Sequence, residues 1–325
     1  MKKILYIIII SIFSLTIISC AKSDHKHDST ATNTTTDNTT TDNTTIDYTT
    51  INFVAGTKDG LILSSADGTN WTSMDTINFN KLEELEVIYA NSKFVAVGYW
   101  GHVLTSSDGI SWDNRTTSTS DFFYGVTYGN SKFVTVGSGG KNYYSSDGTT
   151  WTAGTINNTS YLYAITYGNS KFVVVGDSGT IITSSDGTSW DNSTSGTSVA
   201  LQDVTYGNST FVAVGPGGLI LTSSDGTTWT SRTSGIVKNI MGVQYVNSTF
   251  VAVGRGGLIL TSSDGTTWTS RTTYTTSDLE DVTYGNSKFI AVGEYGTTVT
   301  SSDGITWTTT SNIRNQSDFN SITSK

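Results

Sequence analysis

Cysteine, proline, histidine and arginine are scarce in this 325-residue sequence, which contains one, one, three and five of them. A lone thiol cannot form an internal disulfide. Beyond residue 45 the chain has one histidine, His102, and no cysteine, which leaves little for metal or catalytic-triad chemistry. Acidic residues outnumber basic ones and give a formal net charge of −9. This balance argues against nucleic acid and anionic lipid surfaces as partners.

The single cysteine, Cys20, ends an apolar run near the N-terminus. Lys2 and Lys3 precede that run, which is too short to span a bilayer comfortably and has the order of a secretory signal. Ile17-Ile18-Ser19-Cys20 resembles the lipobox of bacterial lipoproteins. The resemblance implies a signal peptide over 1–19, acylation of Cys20 and a cell-envelope location facing the periplasm or the exterior. An uncleaved anchor, or an ordinary signal peptide with a chance cysteine, is the alternative.

Residues 20–45 follow with threonine, asparagine and aspartate but no large apolar side chain. Such a segment cannot bury enough surface to offset its ordering entropy, so we predict a disordered tether. His25 and His27 lie in it beside aspartates, but without preformed geometry a solvated spacer is favoured over a metal site. We predict no metal and no cofactor, and contact with the membrane through the lipid alone.

The remaining residues, 46–325, repeat one pattern seven times. The interval from Trp71 to Trp112 is 41 residues and each later interval is 39; the phenylalanines from Phe53 to Phe289 keep the same intervals. A period near 40 with short strands and frequent turns is typical of a β-propeller, in which each repeat forms a four-stranded blade. We therefore predict an all-β, seven-bladed propeller of antiparallel blades.

One repeat shows how the strands, called a to d within a blade, follow one another. Val282–Tyr284 is strand a, and Gly285-Asn286 with its neighbours forms a turn suited to positive φ. Strand b, Lys288–Val292, is apolar on both faces, as expected between two blades. Strand c covers Thr297–Ser301, and strand d starts near Ile305 after a Ser-Asp-Gly turn.

The turn before strand d carries a resemblance. Ser301-Ser302-Asp303-Gly304-Ile305-Thr306-Trp307 and its six counterparts resemble the Asp-box of BNR propellers, and especially the group similar to the photosystem II assembly factor. The resemblance covers 46–325 and implies the fold but little about function. Seven aspartates could suggest a calcium ring, yet aspartate and glycine also suit a tight turn covered by tryptophan, which is the interpretation we favour. The box residues are Asp67, Asp108, Asp147, Asp186, Asp225, Asp264, Asp303, Trp71, Trp112, Trp151, Trp190, Trp229, Trp268 and Trp307.

Both ends of the repeat region predict a closed ring. Ser317–Thr323 echoes Ser277–Thr283, the lead-in to strand a, and stops before any strand b. At the other end, Ile46–Tyr48 is a degenerate strand a that precedes the first strand b. Either segment could supply the inner strand of the closing blade.

The two faces of the predicted ring differ in sequence. The a–b and c–d turns share one face, here the turn face, and are nearly invariant. The b–c loops and d–a connections share the other, here the variable face, which is therefore the candidate binding face. Its candidate residues are Lys58, Asp59, Tyr99, Trp100, Arg255, Glu294 and Tyr295. We expect those of blades seven, one and two to form one sector, with Phe122, Phe123 and Tyr124 entering the next blade on the same face.

Exposed aromatic residues with a few charges suit a protein partner or a sugar ring, although Trp100 could instead only pack against a neighbouring loop. We predict a monomeric, non-enzymatic scaffold for an envelope protein, with glycan binding as the alternative. A sialidase-like glycoside hydrolase is less favoured because only Arg255 among the arginines lies on the candidate face. Asp203 and Asp281, at equivalent positions before strand a, are the carboxylate pair that such an enzyme could use.

Overall fold

Short strands and tight turns follow one another along the chain in the computed structural model. The structure describes residues 50–74, 82–312 and 317–325. The predicted signal, tether, Cys20 and the segment Ile46–Tyr48 lie outside these ranges. No helix in the described ranges has the length and apolar character needed to cross a membrane.

The strands are two to seven residues long. In chain order they are β1 (Phe53–Thr57), β2 (Ile62–Ser65), β3 (Thr72–Ser73), β4 (Glu86–Ala90), β5 (Lys93–Val97), β6 (Val103–Ser106), β7 (Asp113–Asn114), β8 (Phe123–Gly129), β9 (Lys132–Gly137), β10 (Asn142–Ser145), β11 (Thr152–Ala153), β12 (Leu162–Gly168), β13 (Lys171–Gly176), β14 (Ile181–Ser184), β15 (Asp191–Ser193), β16 (Asp203–Gly207), β17 (Thr210–Gly215), β18 (Leu219–Ser223), β19 (Thr230–Arg232), β20 (Ile240–Val246), β21 (Thr249–Gly254), β22 (Leu258–Ser262), β23 (Thr269–Arg271), β24 (Leu279–Gly285), β25 (Lys288–Gly293), β26 (Thr297–Ser301), β27 (Thr308–Asn312) and β28 (Phe319–Ser324). Single 3₁₀ turns occupy b–c loops at Tyr99–Gly101, Ser138–Gly140, Asp177–Gly179, Pro216–Gly218 and Glu294–Gly296.

These strands form seven four-stranded antiparallel sheets. Blades two to seven take their strands in sequence order, from β4–β7 to β24–β27, with strand a innermost. The predicted all-β, seven-bladed propeller is confirmed.

Blade one combines both ends of the repeat region. Its sheet has the order β28-β1-β2-β3, with Phe53 opposite Ser324 and Val54 opposite Thr323. The C-terminal segment therefore supplies the inner strand, which the sequence had left open. The ring closes by this pairing, so the inner edge of β1 is not left unpaired.

The hydrophobic core lies between the blades. In β17, Phe211 and Ala213 pack toward Val173 of blade four, whereas Val212 and Val214 pack toward blade six. Because successive residues of a strand point to opposite faces, strand b must be apolar throughout to serve two interfaces. One further cluster joins Ile290 of blade seven to blade one, so the core continues around the closed ring.

The a–b turn differs in detail from its prediction. Positive φ values fall at Asn286 (48°) and Ser287 (59°), and Gly285 is not in that conformation. The glycine has another cause, clearest at the equivalent Gly207, where an added Cβ would lie 1.9 Å from Cγ of Tyr245. Glycine is needed here because the tyrosine of the next blade approaches so closely.

Candidate functional site at the channel mouth

The Asp-box aspartates accept hydrogen bonds within their own turns. In blade five, Oδ1 of Asp225 accepts bonds from the backbone N–H groups of Thr227 and Thr228, both at 2.8 Å, and these bonds lower the pKa of Asp225. Nε1 of Trp229 donates to the carbonyl of Gly226 at 3.1 Å. The two backbone bonds to the aspartate recur in all seven blades. Across the described residues, no group of three or more His, Cys, Asp or Glu side chains could hold a metal ion.

In blades two to seven, each b–c loop of the variable face has two successive residues in the left-handed conformation, and the second is always glycine. The first is glycine in blades three, five and six, at Gly139, Gly217 and Gly256, and Ser178 in blade four. Blades two and seven have Trp100 (φ 61°) and Tyr295 (φ 56°) instead. A side chain at such a φ strains the backbone, and strain of this kind is concentrated at functional sites. Both aromatic side chains are exposed, Trp100 by 43% and Tyr295 by 62%.

Tyr99 and Trp100 lie against blade three. The ring of Tyr99 stacks on Phe122 with centroids 4.5 Å apart, and Trp100 meets Phe122 edge-on at 4.9 Å. Tyr99 also meets Tyr124 edge-on at 5.7 Å. Phe123, which was expected to lie on this face, is fully buried instead, because alternation along β8 turns it into the core.

The other predicted residues are held by ionic and hydrogen bonds. Nζ of Lys58 lies 2.6 Å from Oε1 of Glu280, and Asp59 accepts a bond from the Thr57 hydroxyl at 2.6 Å. Nε of the exposed Arg255 lies 3.6 Å from Oδ2 of Asp278.

Blade seven is linked to blade one on this face. The backbone N–H of Tyr295 donates to Asp318 at 2.7 Å, and burial beside Asp278 raises the pKa of Glu294. Among the described residues, the aromatic contacts of Tyr99 and Trp100 are with blade three, and none joins them to Tyr295. Backbone hydrogen bonds link the loops of blades seven, one and two. The N–H of Lys58 donates to the carbonyl of Asp318 at 2.9 Å, its carbonyl accepts from Glu84 at 3.0 Å, and the N–H of Tyr99 donates to the carbonyl of Glu83 at 3.2 Å.

An aromatic track leads from the rim to the axis of the ring. We use this name for Tyr99, Trp100, Phe122, Tyr124, Tyr161 and Tyr163. Tyr124 lies 6.3 Å from Tyr161 and 6.0 Å from Tyr163 between ring centroids. Tyr124 and Tyr163 come from inner strands β8 and β12 and line the axial cavity. From the sequence we also expect the other tyrosines and phenylalanines of strands a and b to belong to the core, but Tyr163 is half-buried and lines the cavity.

The channel mouth is an acidic cavity of about 330 Å³, lined by all seven inner strands. Five carboxyl groups line it, and they belong to Glu84, Glu86, Asp203, Glu280 and Asp281. Comparison of the repeats could have indicated part of this set. The residue before the conserved Val or Ile of strand a varies around the ring as Glu86, Gly125, Ala164, Asp203, Gly242, Asp281 and Ser321.

Asp203 and Asp281 connect neighbouring blades. Each accepts a bond from the next N–H on its own strand, and its second oxygen accepts one from the adjacent blade. Those second bonds come from Val243 to Asp203 at 2.7 Å and from Ile322 to Asp281 at 2.9 Å. Burial outweighs these bonds and raises the pKa of Asp203 to about 6 and that of Asp281 to about 7. Both carboxylates therefore hold inner strands together.

Glu86 differs from these two aspartates. It is partly buried and lines the cavity, and no side-chain hydrogen bond or ion pair to it is present among the described residues. Burial raises its pKa well above the usual range, and the charges of Asp281 and Asp203 add to that shift. It is thus a carboxyl group on the cavity wall without a side-chain partner among the described residues.

The described strands and turns define a seven-bladed β-propeller with the same Ser-x-Asp-Gly turn in every blade. Residues 164–280 match the model of the family described as DUF6242 beta propeller domain. No curated protein matches the chain.

Two solved structures are similar to the propeller. The structure titled "YCF48 bound to D1 peptide" is 16% identical with a TM-score of 0.60, over 83% of this chain and 87% of the other. YCF48 from Cyanidioschyzon merolae is 15% identical with a TM-score of 0.56, over 76% and 94%. At these identities the likeness establishes the fold, and it agrees with the resemblance to the photosystem II assembly factor group.

Proposed function

We propose that this chain is a protein-binding propeller of the cell envelope, which holds a segment of a partner protein on its variable face. The observation that carries the proposal is the exposure of Trp100 and Tyr295 on left-handed backbone where three other blades have glycine. An aromatic side chain kept at such a position is favoured when it contributes to binding.

The aromatic track supports a peptide-like ligand. It joins the exposed Trp100 to Tyr124 and Tyr163 at the axis, so it offers a continuous line of rings on a rigid scaffold. Aromatic residues are enriched in the buried centres of protein interfaces. A propeller of the same fold, YCF48, has been solved bound to a D1 peptide.

Site-specific photo-crosslinking tests this proposal. A benzophenone amino acid is placed at residue 100, and in a matched control at Ile305, which is 55% exposed in a c–d turn of the turn face. We expect irradiation of cells to give a discrete protein adduct from position 100 and none from position 305. Adducts of equal yield from both positions, or none from position 100, would contradict the proposal.

Glycan binding makes a different prediction in the same experiment. An adduct at position 100 whose added mass is removed by glycosidases, and which contains no peptides from a second protein, would identify a sugar ligand and refute the protein partner. No catalytic role is assigned to Asp203 and Asp281, because both oxygens of each accept backbone hydrogen bonds.

Membrane attachment through Cys20 forms part of the proposal and is supported by the lipobox-like sequence. Two or three acyl chains would hold the protein stably at a membrane. We expect an alkyne-tagged fatty acid to label the chain in cells and to leave the Cys20→Ser variant unlabelled. Labelling of both would show that the attachment point lies elsewhere.

A further inference from the structure

The channel mouth has a strong excess of negative groups. Its lining includes five carboxyl groups and no lysine or arginine. Lys58, the nearby cation, is already paired with Glu280 at 2.6 Å. Four carboxyl groups of the cavity, those of Glu84, Glu86, Asp203 and Asp281, therefore form no ion pair among the described residues.

Glu86 differs from the two aspartates of the channel mouth in its hydrogen bonding. Asp203 and Asp281 each receive two backbone hydrogen bonds, but the partly buried Glu86 carboxyl has no partner among the described residues. It lines the same cavity as Asp203 and Asp281, whose charges repel it, and like charges held close together are unfavourable without a cation. A ligand that donates hydrogen bonds and carries positive charge would satisfy the Glu86 carboxyl.

The position and size of the cavity indicate what such a ligand is. Its volume of about 330 Å³ is near the lower end for ligand pockets, which suits one long side chain. Two rings of the aromatic track, Tyr124 and Tyr163, share its wall. A planar guanidinium can donate to several carboxylates at once and can stack on aromatic faces.

We propose that the partner segment inserts an arginine side chain into this mouth, where it pairs with Glu86, while flanking apolar residues lie on the aromatic track. This inference rests on the proposed function and adds the chemistry of the bound segment. The negative charge of the cavity and the aromatic rings beside it favour binding of a segment with basic and aromatic residues over binding of an acidic segment.

Two blocked pentapeptides test the proposal with the full-length chain in mild detergent. One is glycine–phenylalanine–arginine–phenylalanine–glycine, and the other replaces arginine by citrulline, which is nearly isosteric and neutral. At pH 8 we expect the arginine peptide to bind at least about tenfold more tightly. The ratio should fall at pH 5, because protonation then neutralises most of Asp203 and Asp281, whose pKa values are about 6 and about 7, and the raised pKa values of Glu86 and Glu84 act in the same direction.

Two substitutions, Glu86→Gln and a matched control, test whether Glu86 causes the preference for the arginine peptide. Glu86→Gln removes the unpartnered charge and should reduce the arginine-to-citrulline ratio to less than about threefold. Asp191→Asn removes an equal charge on the exposed outer strand β15 and should leave the ratio unchanged. Unfolding midpoints of both variants show whether either change disturbs the fold.

The outcomes separate this inference from the proposed function. Equal affinity for the two peptides, binding of neither, or an undiminished ratio in Glu86→Gln would overturn the arginine site. A protein adduct at residue 100 would still support the binding face in those cases. Loss of that adduct together with a retained arginine preference would refute the proposed protein partner while leaving a cation site at the mouth.

Discussion

At the scale of single residues, the repeats act as internal controls for one another. Tyr295 occupies the left-handed position that Gly139, Gly217 and Gly256 occupy in other blades. Six of the seven blades thus have the same backbone shape at this position, with glycine, serine, tryptophan or tyrosine on it. The free-energy cost of a side chain at residue 295 can therefore be measured by comparison with glycine, which the same loop position has in three other blades.

Replacement of Tyr295 by glycine should not destabilise the protein. A residue with a side chain loses about 1–2 kcal/mol of stability in the left-handed conformation, and glycine avoids this loss. Glycine also has more conformational entropy in the unfolded chain, which reduces that gain by about 0.5–1 kcal/mol. We expect Tyr295→Gly to be more stable than Tyr295→Ala by about 1 kcal/mol in urea unfolding. If the alanine variant is equally stable, the strain interpretation is wrong.

The box tryptophans should differ in their contribution to stability according to burial. Trp307 is 1% exposed, whereas Trp229 is half-buried against blade four. We expect Trp307→Ala to cost about 3–5 kcal/mol and Trp229→Ala to cost about 3 kcal/mol, at the low end of that range. The free energies of unfolding of the two variants test the order, and a larger loss for Trp229→Ala would contradict it.

Residue-level prediction from sequence succeeded where local chemistry decides the structure. The Asp-box turn depends on contacts within four residues, so its form can be argued from Asp225, Gly226 and Trp229 alone. The role of Gly207 could not be argued that way, because it depends on Tyr245 of the next blade. Glu86 and Tyr163 were missed for the same reason, since the axial cavity exists only once seven blades meet.

At the scale of elements, β28 decides whether the ring is closed. It pairs with β1 along its length and buries Phe319 and Ile322 against blades one and seven. The sequence predicted closure but not which terminal segment supplies the inner strand. Both segments had strand character, and the choice depended on pairing register, which periodicity does not specify.

Removal of Phe319–Lys325 should open the ring and greatly lower stability. The deletion exposes the edge of β1 and removes Phe319, whose truncation alone would cost about 3–5 kcal/mol. We expect a lower unfolding midpoint and a tendency to associate through the free edge. A synthetic peptide of residues 317–325 should restore the midpoint in a saturable manner. An unchanged midpoint in the deleted chain would show that β28 does not close the ring.

At the scale of the whole molecule, the repeat places seven similar inner strands around one axis. Small differences between the repeats are therefore brought together: Glu86, Asp203 and Asp281 are distant in sequence but line one cavity. Composition predicted an acidic protein but could not show that part of that charge is concentrated on the axis. Because these carboxyl groups line one cavity in the folded protein, its stability depends on pH in a way that no single repeat would show.

The stability of the propeller should fall as the pH rises from 5 to 8. The folded pKa values of Asp203 (about 6) and Asp281 (about 7) lie above the unfolded value of 3.8, and that of Glu86 is also raised. Between pH 4 and 7 the folded state therefore retains protons that the unfolded chain releases, so stability decreases with pH. The Asp-box aspartates, whose pKa values are lowered, act in the opposite direction and only below about pH 4.

Glu86→Gln should weaken this pH dependence. The substitution removes one carboxyl and the repulsion that it exerts on Asp281, while leaving the backbone bonds of both aspartates intact. We expect the variant to be more stable than the parent at pH 8 and to gain less at pH 5, because burial and the charges of Asp281 and Asp203 disfavour the ionised form of Glu86. Urea unfolding at the two pH values measures the difference, with Asp191→Asn as the control. An equal gain at both values would mean that the carboxyl at residue 86 does not titrate in this window, and that the channel charges are not coupled to folding.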